Sequence, residues 1–533
     1  MRVFQRKYFF TASIISTLLL LGMLQIPGRN TLPERISLLG FPIPGRHTLL
    51  ERVSLLGFPI PGRHTLLERV SLLGFQNDGK ANPSIDCRDR LFNTSLDVQQ
   101  SFFLRDNLVE AVRSLQQYPK IDEDFQKQDL SFEDFVNTNW AELAGSGTWL
   151  PKYQVYLVVT RLIYYPSGNL EWPTISFLRG RIFDSKWNHL NGYAIPWSGE
   201  KITFPRVFDI PSIWTEGDIF LGPEDPRVVL EDDVEDAEPV IVFNMLSDLL
   251  VKRRMMWIHR PFSKFSMPLA IKGEEQKMTE KNWAPFFHKT SSDGSPSRDL
   301  SLVYSIQPLE ILTCDLQNGQ CEWEFQQEAH SDVASVSQHV RGGMRGGTNF
   351  VPIYKRSSSR VNLWAGFPRT HLDGACDKVS TYRPELVILA RTGLSEFHIA
   401  YASDAIDFGG TVLNPQAIDH PCEEGHILIP NGIIRWDQRP AYDLIHLSLS
   451  VADRTIQVVT LHGVMKLVES LPIMAHMVRA STQPYHDSFP KDLHWSAAGK
   501  HVLECSVSAA MNSSIQNAMQ AQRRLNQTED KAV

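Results

Sequence analysis

The sequence predicts a closed all-β core built from several blades, and three observations point to it. Between about residues 150 and 465, short runs rich in β-branched and aromatic residues follow one another, broken by Pro, Gly, Asn and Asp. No regular helical pattern separates these runs, which argues against a doubly wound parallel sheet. So many strand edges need protection, and radial repetition supplies it while letting loops converge on one central pocket. A chain of 533 residues is ample for such a core. Its net charge of -7 and its lack of a basic cluster argue against nucleic acid as the main partner.

Taken in order, the chain opens with Arg2, Arg6 and Lys7, a short basic flank expected to stay in the cytosol (residues 1–7). Tyr8 to Ile26 carries no charge and is long enough at helical rise to cross a bilayer. No small-x-small cleavage signal closes it, so the segment reads as a retained signal anchor, placing the remainder in the lumen of the secretory pathway. Residues 27–84 form a stem: Ile-Pro-Gly-Arg recurs at 26, 43 and 60, and each copy ends in Leu-Leu-Gly-Phe. Three copies punctuated by Pro-Gly are too few and too broken for a solenoid, so the stem is assigned spacing only.

Residues 85–149 are expected to be a helical extension, because Phe102, Leu104, Leu108, Val112 and Leu115 lie at helical spacing within Asp97 to Tyr118. The β-region of residues 150–465 should contain strands at Tyr153 to Tyr165, Thr174 to Phe183, Val240 to Asn244, Met255 to Arg260 and Leu302 to Ile306. Further strands are expected at Leu386 to Ala390, Phe397 to Ala402 and Ile427 to Trp436. The clearest hairpin joins Tyr442–Val451 to Thr455–Leu461 through Ala452-Asp453-Arg454. Residues 466–533 read as Ala- and Gln-rich helix followed by a polar tail.

All six cysteines (Cys87, Cys314, Cys321, Cys376, Cys422 and Cys505) lie beyond the anchor, and an even count suits an oxidising compartment. Cys314 and Cys321 flank the turn-like Asn318-Gly319 and are the first expected pair. Zinc is the alternative, but no Cys-x-x-Cys supports it. The sequons at Asn93, Asn512 and Asn526 are usable only in the lumen.

The stretch richest in chemistry is Gly222-Pro223-Glu224-Asp225-Pro226-Arg227, two carboxylates and a guanidinium between prolines. It admits two readings, a charged surface turn or a stiff loop holding a proton acceptor at the mouth of the β-structure. The prolines should push Gly222 and Asp225 toward extended conformations. Glu280-Lys281-Asn282-Trp283-Ala284-Pro285-Phe286-Phe287 combines polar groups with aromatics, which suits a sugar or a core-lining strand end. Arg341-Gly342-Gly343-Met344-Arg345-Gly346-Gly347-Thr348-Asn349 reads as a phosphate cradle or a plain glycine-rich turn. His371, in Phe367-Pro368-Arg369-Thr370-His371, is a ligand contact or a buried hydrogen-bonding residue.

Arg227, Arg260, Lys281, Arg341, Arg345 and Arg369 place many strand-end cations in an acidic protein, as an anionic nucleotide-sugar donor would need. The acidic run Glu231-Asp232-Asp233, with Glu235 and Asp236, permits an oxygen-bound divalent cation but reads better as a solvated hairpin tip. No cofactor is therefore expected. No nucleophile elbow, dinucleotide fingerprint or P-loop appears.

The hexapeptide, Glu238-Pro239-Val240-Ile241-Val242-Phe243-Asn244-Met245, Arg260-Pro261-Phe262-Ser263 and Glu280 to Phe286 occur in order along the chain. Arg345-Gly346-Gly347-Thr348-Asn349-Phe350-Val351-Pro352, Gly366 to His371 and Tyr382-Arg383-Pro384-Glu385-Leu386 follow them. On these motifs the chain resembles the fungal β-mannosyltransferases that add β-1,2-linked mannose to cell-wall mannans and related glycans. The stem repeats and the long tail depart from that pattern. The Glu-Asp-Pro-Arg core also resembles that of β-mannoside phosphorylases, five-bladed β-propellers in which the matching Asp is the general acid of phosphorolysis and so the base in synthesis.

These resemblances imply a five-bladed propeller and an inverting, GDP-mannose-dependent transferase anchored as a single-pass type II protein of the Golgi, with an oligomannoside acceptor. Asp225 would be the base, and Arg227 would orient it or bind sugar. Lys281, Arg345 and Arg369 would offset charge on the departing GDP, with Arg260 a further candidate phosphate contact. Glu224, Asn282, Asn349 and His371 would contact sugar. A β-mannoside phosphorylase or hydrolase and a non-catalytic mannan-binding cell-wall protein are the other readings.

Overall fold

The computed structural model describes residues 96–470 except 170–171, 216, 249, 289–293, 328–342, 354–360, 377–378, 393–395, 404–405, 407, 409–411, 413–426 and 440–441. The apolar segment Tyr8–Ile26, the stem, all three sequons, Cys87, Cys422, Cys505, Arg341 and the C-terminal tail lie outside the described residues. Among the described residues no helix is long and apolar enough to cross a membrane.

The core is all-β, as expected. Five main sheets follow one another along the chain, with a two-stranded sheet of Tyr193–Trp197 and Glu200–Phe204 and a three-stranded one besides, and their main strands pair antiparallel, with sequence neighbours except where Val361–Gly366 pairs with Val387–Thr392. The first contains Trp140–Leu150, Val155–Tyr164, Ile175–Phe183 and the short Arg206–Val207. The second runs Pro223–Val229, Val240–Asp248, Arg253–Arg260, Phe265–Pro268. The third is Ala284–Phe286, Asp299–Ile306, Leu309–Asp315 and Gln320–Gln326, with Ala270–Ile271 added parallel at its far edge. The fourth is Val351–Ile353, Val361–Gly366, Val387–Thr392 and Glu396–Ala402, beside a smaller sheet of Met344–Arg345, Arg369–Cys376 and Val379–Pro384. The fifth is Leu428–Arg439, Tyr442–Val451 and Thr455–His462.

Side-chain alternation explains why these segments are strands. Val155–Tyr164 is buried along its whole length. Val155, Leu157 and Val159 enter a core shared with Val228, Ile241 and Phe243 of the second sheet, while Tyr156 and Val158 point the other way onto Ile434, Ile456 and Val458 of the fifth. Similar cores join the second sheet to the third, the third to the fourth and the fourth to the fifth. The expected hairpin forms as read, with Val451 opposite Thr455. Cys314 and Cys321 are disulfide-bonded across the hairpin whose turn contains Gly319 at φ +72.

Asp97 to Tyr118 is not one helix. Asp97–Phe103 is a strand, paired antiparallel with Thr455–His462 so that the N-terminal end of the described chain completes the fifth sheet. The helical spacing is real, but the open edge of Thr455–His462 offers unpaired backbone groups, and pairing there outweighs a marginal isolated helix. Helix starts only at Leu108–Arg113, capped by Asn107, and continues in Pro119–Gln126 and Phe132–Asn139. These three short helices and the turn after the first pack on the first sheet through Val112, Leu115, Ile121 and Phe135.

Between that added strand and the helices lies Asp106, which is buried against two equally buried arginines of Ile175–Phe183. Its carboxylate lies 2.7 Å from Arg179 Nε and 3.5 Å from Arg181 Nε, and Arg181 Nη2 pairs with Glu142 at 2.6 Å. The backbone joins in, since Arg181 donates to the Arg105 carbonyl and Asp106 N–H donates to Glu142. This cluster fastens the N-terminal segment to the first sheet. Asp106→Ala leaves two buried guanidiniums undercompensated and is expected to cost about 3–5 kcal/mol, read as a lowered urea midpoint by circular dichroism. A midpoint unchanged from wild type would show that the cluster holds nothing in place.

Candidate active site

The hexapeptide is neither an exposed turn nor a loop, because Pro223–Val229 is the first strand of the second sheet. Glu224 opposes Asn244 while Arg227 opposes Val242, so the strand carries one extra residue across Asp225-Pro226. That is a β-bulge, a device that re-aims a side chain. Gly222 and Asp225 are not extended either, having φ +75 and φ +53. A Cβ on Gly222 would meet Ser176 O at 2.1 Å, so the strand can approach the first sheet only through glycine there. At Asp225 the left-handed turn is held from both sides: Arg227 Nη1 donates to the Asp225 carbonyl, and Arg227 Nε donates to the Gly347 carbonyl.

The bulge directs Asp225 into a cavity of about 640 Å³ walled by residues of several sheets, including Arg161, Arg227, Lys281, Asn282, Arg369, Tyr382, Asn431 and Asp453. Arg227 and Arg369 are buried, at 3% and 8% exposed. Arg369 donates to Asn282 Oδ1 at 2.9 Å and its guanidinium lies over the Tyr382 ring. Burial alone would push the Asp225 carboxyl up, but the charges of Arg227, Arg161, Arg369 and Lys281 outweigh it and hold the group below the usual aspartate range. The same burial, with Arg369 nearby, brings Arg227 down to about 10 despite the pull of Asp225. The wall therefore presents an ionised carboxylate beneath a cluster of cations.

The other expected residues divide into those at the cavity and those behind it. Lys281, Asn282 and Arg369 line it; Arg345 is exposed, pairs with Arg369 across a short ladder and adds to the positive charge around it. His371 stacks on Tyr382 from behind, with centroids 4.7 Å apart. Glu224 bridges Arg161 and Arg254 at 2.8 and 2.9 Å. Both polar atoms of the Asn349 amide bond the backbone of Ile433, which ties the glycine-rich segment to the fifth sheet. Arg260 pairs with the buried Glu238, whose carboxylate also accepts from the N–H groups of Phe262 and Ser263.

The glycine-rich segment packs on protein: a Cβ at Gly346 would meet Asn282 and one at Gly347 would meet Phe367 O at 2.0 Å. Trp283 and Phe286 are core, so the 280–287 motif gives the cavity only Lys281 and Asn282. Within the acidic run, Glu231 is buried and accepts from Ser297 N and Oγ, while Asp236 reaches Lys152 at the surface. Among the described residues no group of three or more His, Cys, Asp or Glu is placed to hold a metal ion.

Sequence reasoning missed much of the cavity lining, Tyr165, Asn431 and Arg454 included, and with it two charged residues that interact with Asp225. Arg161 is a lone cation within the apolar run Val155–Tyr164, and a charge inside a fully buried strand was the available signal. Asp453 sat in plain view as a turn residue. Its φ of +50, after Ala452 at +58, brings the turn to the cavity, where Asp453 is close enough to Asp225 to feel its charge. The surrounding protein, then the charge of Asp225, raise its carboxyl above the ordinary value, against the pull of Arg369 and Arg161. Two carboxylates in one cavity are thus driven apart, one toward ionisation and one toward protonation.

A family model described as beta-mannosyltransferases matches residues 86–256 and 258–513. Beta-mannosyltransferase 2 of Komagataella phaffii is 32% identical over 360 residues, covering 65% of this chain and 54% of that protein. Beta-mannosyltransferase 3 of Candida albicans is 32% identical over 415 residues, covering 72% and 71%. The chain thus spans about half the length of the first of these relatives. A solved glycoside hydrolase overlays at a TM-score of 0.31 and 6% identity, covering 61% of this chain and 88% of its own, a score too low to carry any argument about fold.

The raised Asp453 carboxyl has a consequence for stability. A group whose pKa is higher folded than unfolded favours the fold below the unfolded value and opposes it as pH rises through the folded value. Asp453→Asn is therefore expected to raise the melting temperature at neutral pH, with the gain shrinking as pH falls toward the ordinary aspartate range. Scanning calorimetry across pH checks this, and a gain that grows on acidification would contradict the environment described.

Proposed function

The chain belongs to the β-mannosyltransferase family, and we propose that it is an inverting glycosyltransferase that moves mannose from GDP-α-mannose to a mannoside acceptor, forming β-1,2 linkages in cell-wall mannan or related glycans. The observation that carries this reading is Asp225, an ionised carboxylate turned by a bulge into a cavity of about 640 Å³ and faced by Arg161, Arg227, Lys281 and Arg369. A cavity of that size suits a small ligand, and its cations suit a diphosphate leaving group.

In the proposed reaction an acceptor hydroxyl oxygen attacks the anomeric carbon on the face opposite GDP. The bond from that carbon to the phosphate oxygen breaks, GDP leaves with the electron pair, and the hydroxyl proton passes to Asp225 directly or through a sugar hydroxyl. Lys281, Arg345 and Arg369 offset the charge that builds on the departing diphosphate. Arg227, committed to the carbonyls of Gly347 and Asp225, orients the base.

A carboxylate held this far toward ionisation is a weak base on its own. An anionic donor changes that, because its phosphates offset the charges of Arg369 and Lys281 that depress Asp225. Asp225 gains basicity when the donor is in place.

The proposed architecture is a five-bladed propeller. Its support is the succession of five sheets, the cores that join each sheet to the next and the fifth to the first, and the N-terminal strand that completes the last sheet. The proposed setting is a type II protein of the Golgi membrane with this region in the lumen, supported by the uncharged segment Tyr8–Ile26 and the stem that follows it.

Two outcomes are expected. Asp225→Asn should lower transfer by about 10²–10⁴-fold while GDP-mannose binding, read by calorimetry, changes little. In the wild type the acid limb of kcat/KM for the acceptor, measured with donor saturating, should lie at higher pH than Asp225 titrates in the donor-free protein. Near-normal turnover of the Asn variant would remove Asp225 from the role of base, and identical titration with and without donor would remove the donor's effect on its basicity.

A further inference from the structure

The cavity has two unlike poles. Its uncommitted cations gather on the walls that carry Lys281 and Arg369, whereas the wall formed by the first sheet and the approach to Pro223–Val229 presents Leu143, Ile163, Pro173 and Phe220 beside one cation, Arg161, whose charge is paired with Glu224. Phe220 is 43% exposed, and Trp172, next to Pro173 in the adjoining segment, is 56% exposed. Most large apolar side chains of this protein are in its cores. Phe220, an open aromatic ring in the lining of this cavity, departs from that pattern, and Trp172, the residue before the lining Pro173, is open as well.

Phe220 is also held where it stands. Its φ is +58, a conformation that bulky side chains avoid and that persists only where neighbours enforce it. Its N–H donates to the Pro173 carbonyl at 3.0 Å, so the segments bearing Phe220 and Trp172 are joined by backbone. Its carbonyl accepts from Arg254 Nη2 at 2.9 Å, and Arg254 in turn pairs with Glu224, the residue before Asp225. One chain of ion pairs and hydrogen bonds thus fixes the backbone of Phe220 relative to the carboxylate.

We infer that Phe220 and Trp172 form a stacking platform for the acceptor, a neutral mannoside chain whose terminal residue reaches Asp225 from the apolar pole while the anionic donor occupies the cationic one. The inference rests on the transferase reading for its choice of ligand. The chemistry fits, because the C–H face of a hexose packs on an aromatic ring and its uncharged hydroxyls gain nothing from guanidiniums that a diphosphate needs. Charge separates the two substrates: a neutral chain has no advantage at Arg369, and a diphosphate has none at Phe220.

The test is calorimetric titration of the full chain with mannotetraose alone and with GDP-mannose alone, in the wild type and in Phe220→Ala, Phe220→Trp and Trp172→Ala. Loss of either ring should weaken mannotetraose binding about tenfold, the size of a well-placed ring contact, with GDP-mannose affinity unchanged and Phe220→Trp restoring binding. Should Phe220→Ala fail to fold, the exposed Trp172→Ala decides. Mannotetraose binding that is absent in the wild type, or unchanged from wild type in both alanine variants, overturns the platform. Ring-dependent mannotetraose binding without GDP-mannose binding upholds the platform and sinks the donor reading instead, so the two fail separately.

Discussion

A single extra residue in one strand governs this site. The bulge at Asp225-Pro226 breaks the alternation of Pro223–Val229 and turns toward the cavity a carboxylate that a regular ladder would have placed by alternation alone. Left-handed backbone at an aspartate is unfavourable by itself, and Arg227 holds it by donating to the Asp225 carbonyl. The same guanidinium bonds Gly347, where any side chain would collide with Phe367 and Pro368. Arg227 therefore joins the second sheet to the glycine-rich segment and fixes the height of Asp225 between them.

Around this bulge the protein keeps more cations than carboxylates, although its overall charge is -7. Arg227 and Arg369 are buried with only partial compensation, and burial lowers the affinity of both for their protons. Asp453 is driven the other way, toward holding its proton beside an ionised neighbour. An arrangement of this kind is costly in itself, as expected where stability gives way to function. The glutamates behind the wall, Glu224 and Glu238, supply the counter-charge that holds Arg161, Arg254 and Arg260 in place.

Much of the fold was legible in the chain, because strands covered on both faces, such as Val155–Tyr164, announce themselves as unbroken apolar runs. Asp97–Phe103 was not, since its strand character comes from an edge more than 350 residues away and its own spacing favours a helix. The motifs lead to the walls of the cavity, but not to which side chains face it. Asn349 and Glu224, expected in the sequence to contact sugar, have their polar atoms bonded to the backbone of Ile433 and to two arginines. Asp453 looks like an ordinary turn residue and stands beside Asp225, a proximity created by the meeting of the second and fifth sheets that no local pattern encodes.

The proposed chemistry requires that Asp225 activate an acceptor hydroxyl against the face of the sugar opposite a diphosphate. Product stereochemistry tests that claim most directly. With GDP-α-mannose and a defined mannobiose, NMR of the purified product should show a new β-mannosidic bond to the acceptor's 2-hydroxyl. A new α-mannosidic bond, formed by the same protein under the same conditions, would contradict it.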